Sequence, residues 1–197
     1  MGGVRMTARE HLERGDRFLP LQNYEKAVKE YRLALELDPL LAEAHVRIAG
    51  IYQINGDPQA ALTEQAMAIN IAPLWVDLYG SSADILAQLG RYDEAEVYYL
   101  QAISLAPSDS RLPLGLGQCY YHMKRYDDAI RWYREALMLD CSVGNRLFLA
   151  EAYHANGMTS EAITEWTVVA NRRCRSGDDR QARHLAQKML DKQMPQS

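Results

Sequence analysis

Cys119, His122 and His154 are the side chains in this 197-residue chain whose types could do covalent or metal chemistry. A thiol with two imidazoles can ligate zinc, and a cysteine beside a histidine can serve as nucleophile and base. Cys119 and His122 are three residues apart, which puts both on one face of a helix, and His154 stands on a later helix. Cys119 falls beside positions that read as buried, and this favours a core cysteine over a reactive one. The chain has neither a glycine-rich phosphate loop nor a His-Glu-x-x-His helix. The expectation is a protein that is not an enzyme and needs no cofactor. The alternative is a Cys/His-dependent or metal-dependent activity at Cys119, His122 and His154.

The elements that would position these groups recur. Ala27, Ala61, Ala95 and Ala129 follow one another at a constant interval, and Ala162 comes one position sooner than that interval would place it. Four residues after each come Tyr31, Gln65, Tyr99, Tyr133 and Trp166, and three further on Ala34, Ala68, Ala102, Ala136 and Val169. Pro39, Pro73 and Pro107 close the first three units, and Cys141 takes that place in the fourth. A unit this short cannot bury its own apolar face and must stack on its neighbours. Each unit reads as two helices. In the first, Leu12, Gly15 and Phe18 mark one helix, and Tyr24, Ala27, Val28, Tyr31, Ala34 and Leu35 mark the next, at spacings of three and four. Gly56, Gly90 and Gly157 fall at the turn inside a unit, where a helix end favours positive φ. The prolines stop the second helices, because proline disfavours helical geometry in the residue before it. The alanines let helices approach closely, and the aromatic between them fills the gap left by a facing small residue.

Charge excludes one class of partner. Residues 172–197 carry seven Lys/Arg and three Asp, a net of +4, and the rest of the chain carries 15 against 23, a net of −8. An acidic solenoid with a short basic tail lacks the continuous basic face that a nucleic acid requires. No window of the sequence approaches the apolar length of a membrane span. The three cysteines, Cys119, Cys141 and Cys174, are odd in number and irregularly spaced, which argues against a disulfide framework. The start, Met-Gly-Gly-Val-Arg-Met-Thr, has no apolar stretch for a signal peptide, and Met6 stands where a myristoylation motif wants Ser or Thr. These features lead us to expect a cytoplasmic protein with reduced thiols.

The repeat resembles the tetratricopeptide repeat (TPR) family. The third unit matches its pattern at Tyr79, Ser82, Ala83, Leu86, Gly90, Tyr92, Ala95, Tyr99, Ala102 and Pro107. The fourth matches at Leu116, Gly117, Tyr120, Tyr126, Ala129, Tyr133 and Ala136. The resemblance implies an all-α, right-handed superhelical solenoid of five helix-turn-helix repeats at 8–41, 42–75, 76–109, 110–142 and 143–175. An extension at 1–7 precedes them and a capping helix and tail at 176–197 follow. Three places depart from the pattern: Gln65 replaces the aromatic of the second repeat, Glu96 replaces an aliphatic residue in the third, and one residue is missing near Ser142–Gly144. Looser packing is expected at each. Beyond the repeats, Ala182, Leu185, Ala186, Met189 and Leu190 form one apolar face of a helix over 178–193, with Ser176 and Asp179 as its capping box.

The resemblance also implies a function. In this family the first helices of successive repeats line a concave groove that holds a peptide or helix of a partner protein. Carried over, the groove positions are Leu12 and Asp16 in the first repeat, with Arg9 and Leu19. The second repeat offers Val46, Gly50 and Gln53 with Glu43, and the third Gly80 and Asp84 with Asp77 and Ala87. The fourth offers Arg111, Leu114, Gln118 and Tyr121, and the fifth Leu147, Glu151 and His154 with Phe148. Gly50, Gly80 and Gly115 are expected to leave room for a ligand backbone. Asp16, Gly50, Asp84, Gln118 and Glu151 share one repeat place, and three acids in five suit a partner with basic residues. The carboxylate clamp of the family's co-chaperones is not matched, because its places hold Leu12, Asp16, Arg47, Asp77 and Ser81. The asparagine ladder of its glycosyltransferase-linked members is also unmatched, since Glu13, Arg47, Ser81, Gly115 and Phe148 stand there. His11 and His45 share a place that reads as packing. Trp75, Tyr98 and Trp132 lie outside the repeat's packing places, and Tyr98 with Trp132 is expected to offer a convex aromatic surface for a second contact or a homo-oligomer. The function expected is a non-enzymatic adaptor or scaffold supporting complex assembly.

Overall fold

Eleven helices fill the described residues, 6–171 and 177–193 of this computed structural model, and no strand forms among them. They are α1 (Ala8–Asp16), α2 (Tyr24–Leu37), α3 (Ala42–Ile54), α4 (Pro58–Ile71), α5 (Val76–Gln88), α6 (Tyr92–Leu105), α7 (Arg111–His122), α8 (Tyr126–Leu139), α9 (Val143–Ala155), α10 (Thr159–Asn171) and α11 (Gly177–Gln193). Their starts are set locally. Thr7 and Glu10 form a capping box on α1, and Asn23, Asp57 and Ser142 each accept from an N–H three residues on. Pro58 takes the first turn of α4, where its missing N–H costs nothing. Their stops are local too, since α2, α4 and α6 end two residues before Pro39, Pro73 and Pro107.

The turn inside every repeat passes through one residue at positive φ: Gln22 (53°), Gly56 (76°), Gly90 (74°), Lys124 (60°) and Gly157 (79°). Two of the five are not glycine, so the turn geometry is imposed by the helices it joins, and Gln22 and Lys124 bear the strain. The first repeat departs from its expected outline, because α1 ends at Asp16 and Phe18 lies in the turn that follows. Pro20 lacks the N–H that would extend the ladder, and the chain leaves α1 through turn bonds from Phe18 N to Gly15 O and from Leu19 N to Asp16 O.

The chain divides after Ile85 into two compact units. In the first, Ala27, Tyr31, Ala34, Ala44, Ile48 and Ile51 make one core cluster, with Leu12 and Phe18 packed against it. Ala42, Ala68 and Leu78 make another with Val46 and Trp75, joining α3, α4 and α5. In the second unit, Val143, Ala150, Ala162, Trp166 and Val169 form a core that α11 completes with the fully buried Ala186 and with Ala182, Met189 and Leu190. Leu185, expected on the same apolar face, is instead 39 % exposed. The expected capping box cannot be placed, since Ser176 falls outside the described residues.

Every repeat alanine of the second helices is fully buried, and Tyr31, Tyr99, Tyr133 and Trp166 are at most 3 % exposed. What seats each tyrosine is a glycine. A Cβ on Gly15 would run into the Tyr31 ring, and one on Gly117 would lie 2.6 Å from Tyr133. Each of these glycines stands on the first helix of its tyrosine's own repeat. Tyr99 has Ala83 at that place and leans instead onto Gly115, on the first helix of the following repeat, where a Cβ would come within 2.5 Å of its hydroxyl oxygen. Gly115 therefore makes room for Tyr99 and not for a ligand backbone, contrary to the expectation above.

Two of the three departures are closed by hydrogen bonds. Glu96 accepts from the Tyr120 hydroxyl at 2.6 Å, and the Arg125 guanidinium lies 4.5 Å over the Tyr120 ring. Burial and the Glu96 carboxylate push the Tyr120 hydroxyl up to about 12. At the missing residue, the buried Asn145 donates to the carbonyls of Ala136 and Asp140 and ties the end of α8 to the start of α9. Neither place is loose. Gln65 is different.

Candidate functional site

Gln65 is 4 % exposed, and its Nε2 donates to Ser81 Oγ at 2.9 Å. Ser81 donates its one hydroxyl proton to the Leu78 carbonyl at 3.2 Å, so its oxygen can only accept from Gln65. This fixes the amide orientation and leaves Gln65 Oε1 buried with no hydrogen-bond partner. Ala49 and Ser81 occupy the two places where the tyrosines of the first, third and fourth repeats meet a glycine. A cavity of about 390 Å³ opens beside Gln65, walled by Leu19, Val46, Ile54, Trp75 and Leu78. Gly50 lines it as well, and a Cβ added there would meet nothing within 4 Å. The polar side chains of Arg47 and Gln53 on α3 and of Asp77 on α5 line it too.

Of the expected groove residues, Leu19, Val46, Gly50, Gln53 and Asp77 line this cavity. Trp75, which has no assigned role in the repeat pattern, lines it too. Leu12 packs on the first core cluster and Leu147 on the last. Leu114, Gln118 and Gly80 are half-buried, and Arg111 is exposed and bound to Asp109 through its guanidinium. The Tyr121 ring meets Tyr126 and His122 edge-on.

The three acids that share a repeat place are not equivalent. Asp16 accepts from the Tyr31 hydroxyl at 2.8 Å and from Arg47 Nε at 3.0 Å, so its charge is already engaged. Asp84 is exposed. Glu151 is half-buried, and loss of water holds its carboxyl above the usual carboxylate range. No cation among the described residues pairs with it.

The cysteine and histidines do not assemble. Among the described residues no group of three His, Cys, Asp or Glu is arranged to hold a metal ion. Cys119 is 1 % exposed, His122 stacks on Tyr92 at 5.5 Å, and the His154 ring lies against Trp166 at 5.4 Å. Each imidazole is packed on an aromatic ring.

The expected convex aromatic pair is also revised. Tyr98 and Trp132 are half-buried, and they share their repeat place with Glu30, Glu64 and Glu165. Those glutamates pair across the two helices of a repeat with His11 at 2.7 Å, His45 at 2.6 Å and Arg146. His11 and His45 are thus ion-pair or hydrogen-bond partners and not merely packing residues. The signal in the sequence was a glutamate at one constant interval after each histidine. Trp132 borders a cavity of about 520 Å³ with Ile103, Pro107, Pro113 and Leu139.

The comparisons with known proteins agree with this architecture. The tetratricopeptide repeat model matches residues 12–73 and 81–142. The chain belongs to the tetratricopeptide repeat family. No curated protein sequence matches it significantly. Among solved structures, the Desulfovibrio magneticus RS-1 protein MamA, from its residue 41 to the end, is 15 % identical with a TM-score of 0.76, covering 98 % of this chain and 100 % of that one. Pseudomonas aeruginosa PilF is 23 % identical, TM-score 0.70, covering 96 % and 93 %. YrrB, described as a TPR protein with an unusual peptide-binding site, is 18 % identical, TM-score 0.76, covering 95 % and 92 %. These TPR structures share the fold: consecutive packed helix pairs, about five repeats in this chain. TPR domains are in general protein-interaction scaffolds, and protein partners follow for this one. Among its described residues, no helix is long and apolar enough to cross a membrane.

Proposed function

We propose that this TPR chain is a non-enzymatic scaffold that holds a peptide or helical segment of a partner along its first helices and so supports assembly of a complex. The observation that supports this most is the cavity beside Gln65, where five expected groove residues meet in a mainly apolar lining. Its volume, about 390 Å³, falls in the range of roughly 300–1,000 Å³ for ligand pockets. Charge supports basic residues in the partner. Glu151 is a desolvated carboxylate that a lysine or arginine would relieve, and Asp84 is an exposed acid on the equivalent place of an earlier repeat. Asp16 is spent on Tyr31 and Arg47 and contributes little. Leu114, Tyr121 and Leu147 would supply apolar contact, and acids at the rim would set register and on-rate.

The test begins with a peptide selected from a random display library on the immobilised protein. Its affinity is measured at low and high salt against wild type, a double variant with Asp84→Lys and Glu151→Lys, and Leu114→Ala. The charge reversals should weaken binding and flatten its salt dependence without altering the melt appreciably. Leu114→Ala should weaken binding at every salt concentration. If the reversals change nothing while Trp132→Ala abolishes binding, the working surface is the one around Trp132.

A further inference from the structure

Away from the groove, one place of the repeat holds a long hydrogen-bonding side chain in four repeats and a proline in the fourth. The residues there are His11, His45, Tyr79, Pro113 and Arg146. His11 bonds to Glu30, His45 to Glu64 and Arg146 to Glu165, and the Tyr79 hydroxyl donates to the Pro73 carbonyl at 3.0 Å. Pro113 is short and carries no donor. Beside it, between α6 and α8, lies the cavity of about 520 Å³ walled by Ile103, Pro107, Pro113, Trp132 and Leu139. Pro107 is the counterpart of Pro73, and among the described residues no group donates to its carbonyl. The third repeat therefore shows what completes this arrangement, an aromatic ring with a hydroxyl at its end.

Arg131 and Glu135 complete the lining. Arg131 is bonded to Asp128, which also holds Arg125, and Arg125 is attracted by Glu96 as well. Those two cations and two acids balance. Glu135 is exposed and pairs with no cation among the described residues, so the charge left open here is negative.

We propose that this cavity is a second docking site, which takes a tyrosine side chain of a partner protein that has a lysine or arginine next to it. The ring lies among the apolar walls as an aromatic with one polar end can. Its hydroxyl donates to the Pro107 carbonyl, as Tyr79 does to Pro73, and the neighbouring cation meets Glu135. The site is built mainly from second helices and does not depend on the groove reading.

The probes are N-acetyl-tyrosyl-lysinamide, its phenylalanine counterpart, and the tyrosine compound with glutamate in place of lysine. Titrated into the full chain at millimolar concentration, the first should give saturable amide shifts at Ile103, Trp132 and Leu139 in a ¹H–¹⁵N spectrum. The phenylalanine compound should bind roughly threefold to tenfold more weakly, as the loss of one neutral hydrogen bond implies. The glutamate compound should be weaker too, and most so at low salt. Pro113→Tyr installs the filling of the third repeat, and it should remove the shifts without lowering the melting temperature. Glu135→Gln is an exposed change that should weaken the lysine compound alone, which keeps the test decisive if Pro113→Tyr fails to fold. Asp84→Lys with Glu151→Lys should leave the shifts at wild-type strength. No shifts at the three residues, or shifts undiminished in a folded Pro113→Tyr, would overturn the site. Equal affinity for the tyrosine and phenylalanine compounds would overturn the role of the hydroxyl, and equal affinity in Glu135→Gln that of the carboxylate. Shifts lost in the Asp84 and Glu151 variant would place the probe in the groove and sink the second site.

Discussion

The second and fourth repeats share their buried alanines and their turn geometry, yet they differ at the residue between the alanines. In the fourth, Tyr133 is 2 % exposed, rests on Gly117 and stacks on Phe148 at 5.8 Å. In the second, Gln65 has Ala49 and Ser81 at those same places, bonds to the serine and leaves a cavity. The comparison shows that the aromatic of this repeat is half of a pair. In the first, third and fourth repeats the tyrosine ring lies against a glycine of a neighbouring helix. In the second, where alanine and serine stand at those places, a glutamine takes the position, and in the fifth Trp166 packs in one cluster with Ala150.

The largest effect separating the two regions is expected from Tyr133→Ala, which removes a buried ring and should cost about 3–5 kcal/mol, as large-to-small aromatic changes do. Gln65→Ala should cost much less in the same chemical denaturation series, because the cavity already exists. Comparable losses at the two positions would erase the distinction. Next in size is Gln65→Tyr, which forces a ring against Ser81 and should cost about 1–3 kcal/mol by overpacking. Adding Ser81→Gly rebuilds the Tyr99–Gly115 arrangement and should recover most of that loss while closing the cavity. Failure of the second change to rescue the first would mean that glycine is not what admits the ring.

Smaller effects are expected at the turns. Lys124→Gly and Gln22→Gly should each stabilise by roughly 0.5–1 kcal/mol, since a left-handed residue is relieved while chain entropy takes back part of the gain. Gly90→Lys should lose a similar amount, and melts of the three variants decide it. The smallest effect concerns Glu151. Burial raises its carboxyl in the folded state, so the folded protein favours the protonated form. Stability is thus greatest below the ordinary carboxylate range and is lost as pH rises through the raised folded value. Glu151→Gln should accordingly melt higher than wild type near neutral pH, and the difference should vanish in acid. A pH-independent difference would show that the Glu151 carboxylate is not desolvated in solution.

Much of this was legible in the sequence. The repeat register located every second helix, and the prolines and turn glycines marked ends to within a few residues, because capping and proline geometry are local. The cavity was legible only in part. Gln65 was visible as the missing aromatic, and Val46, Gly50 and Gln53 as groove positions, but nothing in a one-dimensional pattern says that Gln65 bonds to Ser81 and that a cavity opens beside it. The same blindness explains Gly115, read as room for a ligand and found to be room for Tyr99. It also explains His11 and His45, whose glutamate partners lie on the other helix of each repeat.

Periodic alanines, capping residues and prolines act within one or two turns of chain, and so the sequence by itself determined the helices, their pairing and the repeat family. Which side chain fills each gap depends on pairs of residues brought together from different helices. Whether a space is filled, hydrogen-bonded or left open is decided by atoms about 3–4 Å apart, and the tertiary structure alone made that choice. It engaged Asp16, desolvated Glu151, packed His122 and His154 on aromatic rings, and left a cavity beside Gln65.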